Sequence, residues 1–338
     1  MDGIMESVIN PVPSLLKLSD DVLLMILKNL HPYDLLSLSK CSKHMHRICA
    51  DKYLWIDIDL RPYKLKLHEL RTFLKYFCGH TKSICINGFL RDANLAVIDE
   101  HVLSQSFLRT LSSKAPNLVS FEMYDALISA SDIPIHAFPS SLKSFKLVGC
   151  ELINLPTDRS YFRDLYLRMP NLEELDLTGC KWFENHSLIA ISKCAKLKVL
   201  KLKGCFHIGD YFVYTTLATR FGFLALEVLD VRDTGTGDPE VSGFVGLKNL
   251  KELYFGRKLQ PDETEGRITD RGIMSMHVEK TPNLRVLVLA HCTITDLSLR
   301  FLVKCGLKLD YLDVRWTSVT QEGVDAFTNK LPQCKVEF

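Results

Sequence analysis

The fold is decided by the stretch Leu172-Glu-Glu-Leu175-Asp-Leu177-Thr-Gly-Cys180, which recurs as Leu197-Lys-Val-Leu200-Lys-Leu202-Lys-Gly-Cys205. The same leucine frame starts again at Leu118, Leu142, Leu226, Leu250, Leu284 and Leu309, and weaker copies start at Trp55 and Thr81. From Leu118 onward, successive copies start 24 to 34 residues apart. Units of about 20 to 29 residues with this pattern are typical of leucine-rich repeats. The sequence therefore predicts a repeat solenoid with a few lengthened loops.

Each copy predicts one short strand. In Leu175-Asp176-Leu177 a polar residue lies between two apolar ones, and successive side chains of a strand point to opposite faces. Strands stacked in parallel therefore bury the leucines and display the intervening residues on a concave surface. The ninth position of the frame holds Cys or Thr, a small side chain whose hydrogen can reach backbone groups of the turn.

Helices are predicted on the convex side, after the strands. The helix-start signals are Ile208-Gly-Asp210, Ile268-Thr-Asp270, Ile294-Thr-Asp296 and Val319-Thr-Gln321. Thr and Asp are good residues for capping the start of a helix. The predicted class is therefore α/β, an N-terminal helical segment followed by a curved solenoid with parallel strands inside and helices outside.

Composition excludes several classes of protein. The chain has 338 residues, 47% of them hydrophobic, so it can bury a large core and is not intrinsically disordered. Its 42 basic and 40 acidic side chains give no reason to expect a nucleic-acid partner. No apolar run approaches the roughly 20 residues of a membrane span, and the first residues do not read as a secretory signal. We therefore expect a location in the cytoplasm, the nucleus or both.

The eleven cysteines do not indicate catalysis. Cys150, Cys180, Cys205 and Cys292 share the ninth position of the repeat, and a structural role explains all four, whereas a nucleophile would explain only one. The common signatures of phosphate loops, dinucleotide sites, zinc peptidases and serine hydrolases are absent. We therefore predict a non-enzymatic protein, with no catalytic, cofactor-binding or metal-binding residue.

Cys41, His44, His46 and Cys49 lie within nine residues, a spacing that suggests a zinc site. On a helix, however, His44 and His46 point about 160° apart. Four ligands from such directions do not converge on one tetrahedral ion. Two solvated histidines and two packed thiols are the favoured interpretation.

The segment before the repeats predicts three short helices. Ser19 is a natural N-cap ahead of Asp20 and Asp21, and a broad apolar face follows from Val22 to Leu30. His31-Pro32 ends the first helix and starts the second, and Met45 belongs to a third. Fewer than forty residues cannot bury so much apolar surface alone, so a partner, the repeats or both must cover it.

This segment resembles an F-box, the helical module that docks substrate receptors onto SCF ubiquitin ligases. The resemblance rests on Leu18, Asp20, Asp21, Ile26, Leu27, Leu30, Asp34, Leu35, Leu38, Asp51, Leu54 and Trp55. Ser19 replaces the usual Pro, and Met45 replaces a frequent Trp, from which weaker adaptor binding is expected. An F-box followed by cysteine-containing leucine-rich repeats is similar to the F-box/LRR family over nearly the whole chain.

The resemblance implies a flexible N-terminus at 1–14, an F-box at 15–58 and a leucine-rich-repeat domain at 59–338. It implies the substrate-recognition subunit of an SCF ubiquitin ligase, with a Skp adaptor, cullin and RING subunit as partners. The repeats would bind protein substrates for ubiquitination and degradation. The residues expected to bind the adaptor are Leu18, Ile26, Leu27, Leu30, Leu35, Leu38, Met45 and Trp55. The alternative is a repeat scaffold or inhibitor that acts without a ubiquitin ligase.

Substrate is expected at the outward strand positions of the concave surface. The candidates are Asp176, Lys201, Asp230, Arg232, Tyr254, Asp313, Arg315 and Trp316. Aromatic and Arg side chains are the usual energetic anchors of interfaces. The basic cluster of Arg61, Lys64, Lys66, His68 and Arg71 is predicted to be a solvated surface, because an RNA site needs a broader basic stripe. Residues 256–267 lengthen one repeat and predict an edge loop, either a plain surface loop or a ligand contact.

Overall fold

The computed structural model describes residues 15–90, 102–209, 212–244, 247–258, 267–276 and 281–338. Within these ranges three N-terminal helices lead into a curved array of parallel strands backed by helices, as predicted. No helix in the described ranges is both long enough and apolar enough to cross a membrane.

The N-terminal helices are α1 (Asp20–Leu27), α2 (Pro32–Leu38) and α3 (Lys43–Cys49). The Ser19 hydroxyl accepts a hydrogen bond from the backbone N–H of Val22, and Pro32 occupies the first position of α2. The first N–H groups of a helix have no partner within it. Ser19 accepts a hydrogen bond from one of them, and Pro32 has no N–H that needs a partner, so both helices begin where the sequence predicts.

Thirteen strands follow in the described part of the chain. They are β1 (Asp57–Lys64), β2 (Ser83–Asn87), β3 (Ser120–Tyr124), β4 (Leu127–Ser129), β5 (Ser144–Val148), β6 (Glu151–Ile153), β7 (Glu174–Asp176), β8 (Val199–Lys201), β9 (Val228–Asp230), β10 (Glu252–Tyr254), β11 (Val286–Val288), β12 (Tyr311–Asp313) and β13 (Lys335–Glu337). β4 and β6 pair with each other as a small second sheet. The other eleven form one parallel sheet in chain order.

The repeat leucines lie opposite one another across this sheet. Leu175, Leu200, Leu229 and Leu253 occupy matching register positions on β7 to β10, and each is at most 3% exposed. Burying one leucine contributes about 1.5 to 3 kcal/mol. Because each strand covers the leucines of its neighbours, this burial exists only in the stacked array.

The remaining helices pack outside the sheet. They are α4 (Leu67–Phe73), α5 (Gln105–Lys114), α6 (Leu165–Arg168), α7 (Ser187–Ile191), α8 (Phe212–Phe221), α9 (Asp238–Gly243), α10 (Asp270–Ser275), α11 (Asp296–Lys304) and α12 (Gln321–Lys330). The predicted caps Thr269, Thr295 and Thr320 each accept a hydrogen bond from a backbone N–H of the helix that they start. These three helices therefore begin at the predicted signals, and Asp210 of the fourth predicted signal lies outside the described residues.

The cysteines at the ninth position are structural. The thiol of Cys180 donates to the carbonyl of Leu147 at 2.8 Å, and that of Cys205 donates to Leu177 at 3.2 Å, in each case in the preceding repeat. Burial raises the pKa of the Cys150 thiol to about 12 and that of Cys180 well above its usual value. These thiols therefore stay protonated and act as donors between repeats, as a structural role predicts.

The F-box helices and the first strand share one apolar core. The Trp55 indole N–H donates to the carbonyl of Cys49 at 2.7 Å, and its ring stacks on Tyr76 at 4.1 Å. On the other side, Tyr33 of α2 packs against Tyr63 of β1 with 5.0 Å between ring centroids. The predicted boundary after residue 58 lies inside β1, so the two parts join without a free linker.

A ladder of side chains links successive convex helices. Asp270, the first residue of α10, accepts hydrogen bonds from the backbone N–H and hydroxyl of Thr295 and from both donors of Ser298. Asp238 and Asp296 accept in the same way from Thr269 and Thr320. Each Thr thus caps its own helix while it binds the Asp of the preceding repeat. Burial alone would raise the pKa of Asp270, but the bonds from Ser298 and Thr295 outweigh it and lower that pKa.

Replacing Asp270 with Ala should lower the free energy of unfolding by about 2 to 4 kcal/mol, because several donors lose a charged acceptor. Because the pKa of Asp270 is lowered in the fold, its contribution is complete above the unfolded value of about 3.9 and is lost as pH falls through the folded value. Urea unfolding at several pH values measures both effects. The control is Asp325→Ala, which removes an exposed carboxylate bonded only within α12 and should change stability by about 0.5 kcal/mol or less. Equal losses in both variants would contradict the ladder.

Candidate docking surfaces

Helix α1 has a buried face and an exposed apolar face. Leu23 and Leu27 are buried, whereas Val22, Met25 and Ile26 are 41%, 72% and 40% exposed. Leu18, just before the helix, is 39% exposed. We call Leu18, Val22, Met25 and Ile26 the F-box apolar face. A contiguous exposed apolar surface of this kind is typical of an interaction site.

The predicted adaptor residues divide between this face and the core. Leu18 and Ile26 are exposed, and Leu30 and Leu38 are half-buried. Leu27, Leu35, Met45 and Trp55 are 1 to 3% exposed and pack inside the chain, and their role in adaptor binding stays a prediction. Three short helices need these side chains for their own core, so in the free chain the exposed apolar surface is formed by other residues.

Val22 and Met25 were not among the predicted adaptor residues. A signal for them exists in the sequence, because Leu23, Leu27 and Leu30 already form one stripe at spacings of four and three. That stripe is enough to face the core. The apolar residues left over, Val22, Met25 and Ile26, then form a second stripe that must face elsewhere.

The concave candidates form a row across adjacent strands. Asp176, Lys201, Asp230 and Tyr254 lie in register on β7 to β10. Asp313 belongs to the same row, two strands beyond Tyr254. Neighbouring strands lie about 4.8 Å apart, so the structure brings the first four residues together and leaves Asp313 at the far end.

The carboxylates of this row are buried. Asp176, Asp230 and Asp313 are only 3 to 8% exposed. Asp230 accepts from Arg232 Nε and Nη2 at 2.9 and 2.6 Å, and Asp313 accepts from Arg315 in the same manner. In the free chain these carboxylates are therefore largely covered, and their role in substrate binding stays a prediction. Residues two apart on a strand share a face, so each Arg closes over the Asp beside it.

A further ion network neutralises the middle of the concave surface. Lys146 Nζ lies 3.2 Å from Glu122 and 3.4 Å from Glu174, and Lys201 Nζ lies 3.8 Å from Glu174. Tyr254 is likewise engaged, because its hydroxyl donates to Glu252 at 2.6 Å and its ring lies under the Arg232 guanidinium. Much of the polar row is therefore satisfied by the protein itself.

An apolar patch remains beside this row. Val199, Val228, Val286 and Tyr311 are half-buried and occupy the first outward position of β8, β9, β11 and β12. We call these four residues the concave apolar patch, and Glu252 of β10 lies in register between Val228 and Val286. The sequence prediction missed this column, although the residue just before the second leucine of each repeat also points outward. Its signal is the Val-Leu pair at 199, 228 and 286, where other repeats have Glu or Ser.

Trp316 is the most exposed aromatic candidate. Its side chain is 76% exposed, and its ring stacks on His291 with 5.9 Å between centroids. Both residues have positive φ, 60° and 62°, at the turn where other repeats carry Gly179 and Gly204. A side chain in the left-handed region costs stability, and no burial of Trp316 offsets that cost. The ring therefore faces solvent at the end of the concave surface.

Two other sequence motifs were expected to be plain surface, the Cys/His segment of α3 and the basic cluster around Arg61. Within the described ranges no cluster of three or more His, Cys, Asp or Glu side chains could hold a metal ion. His44 and Arg47 instead contact Asp20 at 3.5 and 2.6 Å. In the basic cluster, Arg61 pairs with Asp59 at 2.7 Å. The predicted edge loop at 256–267 lies largely outside the described residues.

Replacing Arg315 with Ala should raise the pKa of Asp313. In the native protein burial favours a raised value, but the hydrogen bonds and charge of Arg315 outweigh it and lower the pKa. Without Arg315 the burial effect remains. NMR titration of a protein labelled at aspartate carboxylates measures this shift, and Lys335→Ala is the control because Lys335 pairs with Glu337 instead. An unchanged titration of Asp313 would show that Arg315 does not hold this carboxylate.

Comparison with known families agrees with both parts of the structure. The F-box domain family matches residues 15–57, and the Leucine Rich repeat family matches residues 168–192 and 280–303. The chain is 28% identical to human F-box/LRR-repeat protein 12 over 201 residues, which is 58% of each protein. It is 27% identical to the mouse protein of that name over 64% of each, and 26% identical to bovine F-box/LRR-repeat protein 4 over 71% of this chain and 42% of that one. The match thus covers less than two thirds of each relative.

The similarity to F-box/LRR-repeat protein 12 agrees with a resemblance that is already visible in short stretches of the sequence, such as Trp55–Leu60 and Lys330–Cys334. With an F-box domain match ahead of a parallel-stranded array that matches the Leucine Rich repeat family, the chain is similar to F-box/LRR-repeat proteins in the kind and order of its parts.

Proposed function

We propose that the chain is the substrate-recognition subunit of an SCF-type ubiquitin ligase. In this proposal the F-box binds the Skp adaptor, which links it to the cullin and RING subunits, and the repeats bind protein substrates for ubiquitination. The observation that carries the proposal is the F-box apolar face, which stays exposed although other apolar side chains of the same module, such as Leu23, Leu27 and Leu35, are buried in the core.

The junction supports a positioning role. Trp55 and Tyr76 on one side, with Tyr33 and Tyr63 on the other, fix the F-box against the first strands. A substrate held on the concave surface then has a defined place relative to the adaptor. Such a placement raises the effective concentration of substrate lysines near the conjugating enzyme, and the receptor needs no catalytic side chain of its own.

The cysteines are consistent with this non-catalytic role. Burial raises the pKa of the Cys194 and Cys292 thiols to about 12, and such thiols are poor nucleophiles. All eleven cysteines are free thiols, as is usual in a reducing compartment. We therefore include a location in the cytoplasm, the nucleus or both in the proposal.

Replacing Met25 and Ile26 with Glu should abolish adaptor binding without unfolding the protein. The two side chains are 72% and 40% exposed, so the charges stay solvated in the free chain but become buried and unpaired against the adaptor. Co-purification of adaptor and cullin, together with thermal melting, measures the outcome.

The matched control for this variant is Met274→Glu with Leu297→Glu, two apolar residues of the convex helices that are 42% and 50% exposed. It should bind adaptor normally. Leu35→Asp, by contrast, should destabilise the F-box itself, because Leu35 is 2% exposed. Normal adaptor binding by the Met25/Ile26 variant would favour a repeat scaffold that works without the ligase.

Replacing Val228 and Val286 with Lys should abolish substrate binding and leave adaptor binding unchanged. Both residues belong to the concave apolar patch, and a lysine there opposes the burial of apolar substrate side chains. Quantitative capture of bound proteins, with ubiquitin transfer blocked, compares this variant with the wild type. Val213→Lys with Leu297→Lys is the convex control, because those residues are 62% and 50% exposed. If the Val228/Val286 variant still captures every protein that the wild type captures, substrates bind at another surface.

A further inference from the structure

Helix α8 reverses the usual amphipathic pattern. A surface helix ordinarily buries its apolar side chains and exposes its polar ones, as α12 does when it buries Val324 and Phe327. In α8 the buried face carries Thr215, Ala218 and Thr219, each at most 3% exposed. The two hydroxyls donate to an amide oxygen and a backbone carbonyl of the neighbouring repeats at 3.3 and 2.5 Å. The array is therefore packed through hydroxyl groups at this helix.

The outward face of α8 is apolar. Val213, Leu217 and Phe221 are 41 to 71% exposed, and at a spacing of four residues they lie within an arc of about 80° on the helix. Leu224, in the turn that follows, is 69% exposed. We call these four residues the α8 apolar stripe. Single exposed apolar residues are ordinary, whereas a contiguous row of them marks an interaction surface.

Basic side chains flank the stripe. The backbone N–H of Phe223 donates to the carbonyl of the residue before Lys193 at 2.9 Å. The carbonyl of Leu224 accepts from the side chain of the residue after Lys248 at 2.7 Å. Arg220 lies within α8, and its guanidinium is 5.5 Å from the ring of the next residue. Exposed cations therefore surround the end of the stripe that carries its two most exposed side chains.

These cations keep their charge uncompensated. Within the described ranges Lys193, Arg220 and Lys248 form no ion pair with an acidic side chain, and the Lys193 ammonium instead lies 5.6 Å from an aromatic ring. The carboxylate of Glu227, which follows the stripe in the sequence, is paired with Lys251 at 2.7 Å. The positive charge opposes the pairing of two such stripes from two copies of the chain, and it favours an anionic partner.

The stripe protrudes and is not recessed. It lies on a convex helix, and none of its four residues lines the clefts beside α6 and α7. A partner peptide or helix is usually held in a groove. A lipid bilayer, by contrast, admits protruding apolar side chains between its headgroups, and its anionic lipids attract nearby Lys and Arg. The shape and the charge of this surface together favour a bilayer.

We propose that the α8 apolar stripe docks the protein onto the surface of an anionic lipid bilayer. Phe221 and Leu224 enter the boundary between headgroups and acyl chains, and Lys193, Arg220 and Lys248 contact the headgroups. The stripe lies on the helix side of the main sheet, opposite the concave apolar patch. Membrane docking therefore leaves the concave surface open, and it does not depend on the proposed ligase function.

Co-sedimentation of the purified full chain with lipid vesicles tests this proposal. The chain should bind vesicles of equal parts phosphatidylcholine and phosphatidylserine, should bind less at raised salt, and should not bind phosphatidylcholine alone. Phe221→Gln with Leu224→Gln should lower partitioning onto the mixed vesicles by about tenfold or more, because the inserted apolar area is lost. Lys193→Gln with Arg220→Gln should lower it by a similar factor of about ten.

Matched controls carry the same changes on other convex helices. Met274→Gln with Leu297→Gln replaces two apolar residues that are 42% and 50% exposed, and Arg271→Gln with Arg300→Gln removes two exposed cations. Each should change partitioning less than about twofold, because neither touches the stripe. Thermal melting and adaptor capture should be normal in the stripe variants and in these controls, which separates membrane docking from the ligase function.

The F-box apolar face is the other large exposed apolar surface, so Met25→Gln with Ile26→Gln is a further control and should leave vesicle binding unchanged. Absence of binding to the mixed vesicles, or equal losses in the stripe variants and the controls, would overturn the proposal. Binding of soluble polyglutamate without vesicle binding would identify an acidic polypeptide as the occupant instead. A dimer that the Phe221/Leu224 variant abolishes, again without vesicle binding, would identify a second copy of the chain.

Discussion

The structure depends on one constraint, the stacking of short parallel strands in a single register. A strand of three residues buries two or three apolar side chains at most, which is too little to stabilise it alone. In register, Leu175, Leu200 and Leu229 cover one another and the whole sheet shares one core. A shift of one residue would turn every leucine outward. The leucine spacing that recurs in each repeat is therefore what keeps the whole array in register.

Stacking also requires every repeat to satisfy polar groups at its edges, and three devices do so. Ninth-position thiols donate to the carbonyls of the preceding repeat. Thr caps bind the first Asp of the preceding helix, as Thr295 binds Asp270. On the concave side, arginines close over neighbouring aspartates. Many charged residues that look available for recognition are thus parts of the scaffold, and the exposed surfaces described above that remain for partners are mainly apolar.

The F-box differs from the repeats because part of its apolar surface stays exposed. Its helices are too short to bury all their leucines and valines, so one stripe of α1 joins the core and the other stays exposed. Trp55 extends that core into the first repeats. A rigid module with one uncovered apolar face follows from this division. In the proposed function it places the adaptor on one side of the chain and the substrate surface along the sheet.

The sequence by itself determined the repeat period, the inward leucines, the helix caps at Thr269, Thr295 and Thr320, and the F-box helices, because all of these follow from local spacing and backbone hydrogen bonding. Only the tertiary structure decided which side chains remain available. Leu35 and Met45 are apolar like Met25, yet they are buried while Met25 is exposed. Asp230 points outward like Lys201, yet Arg232 covers it. Burial and pairing depend on neighbours distant in the chain, and spacing along one repeat does not specify them.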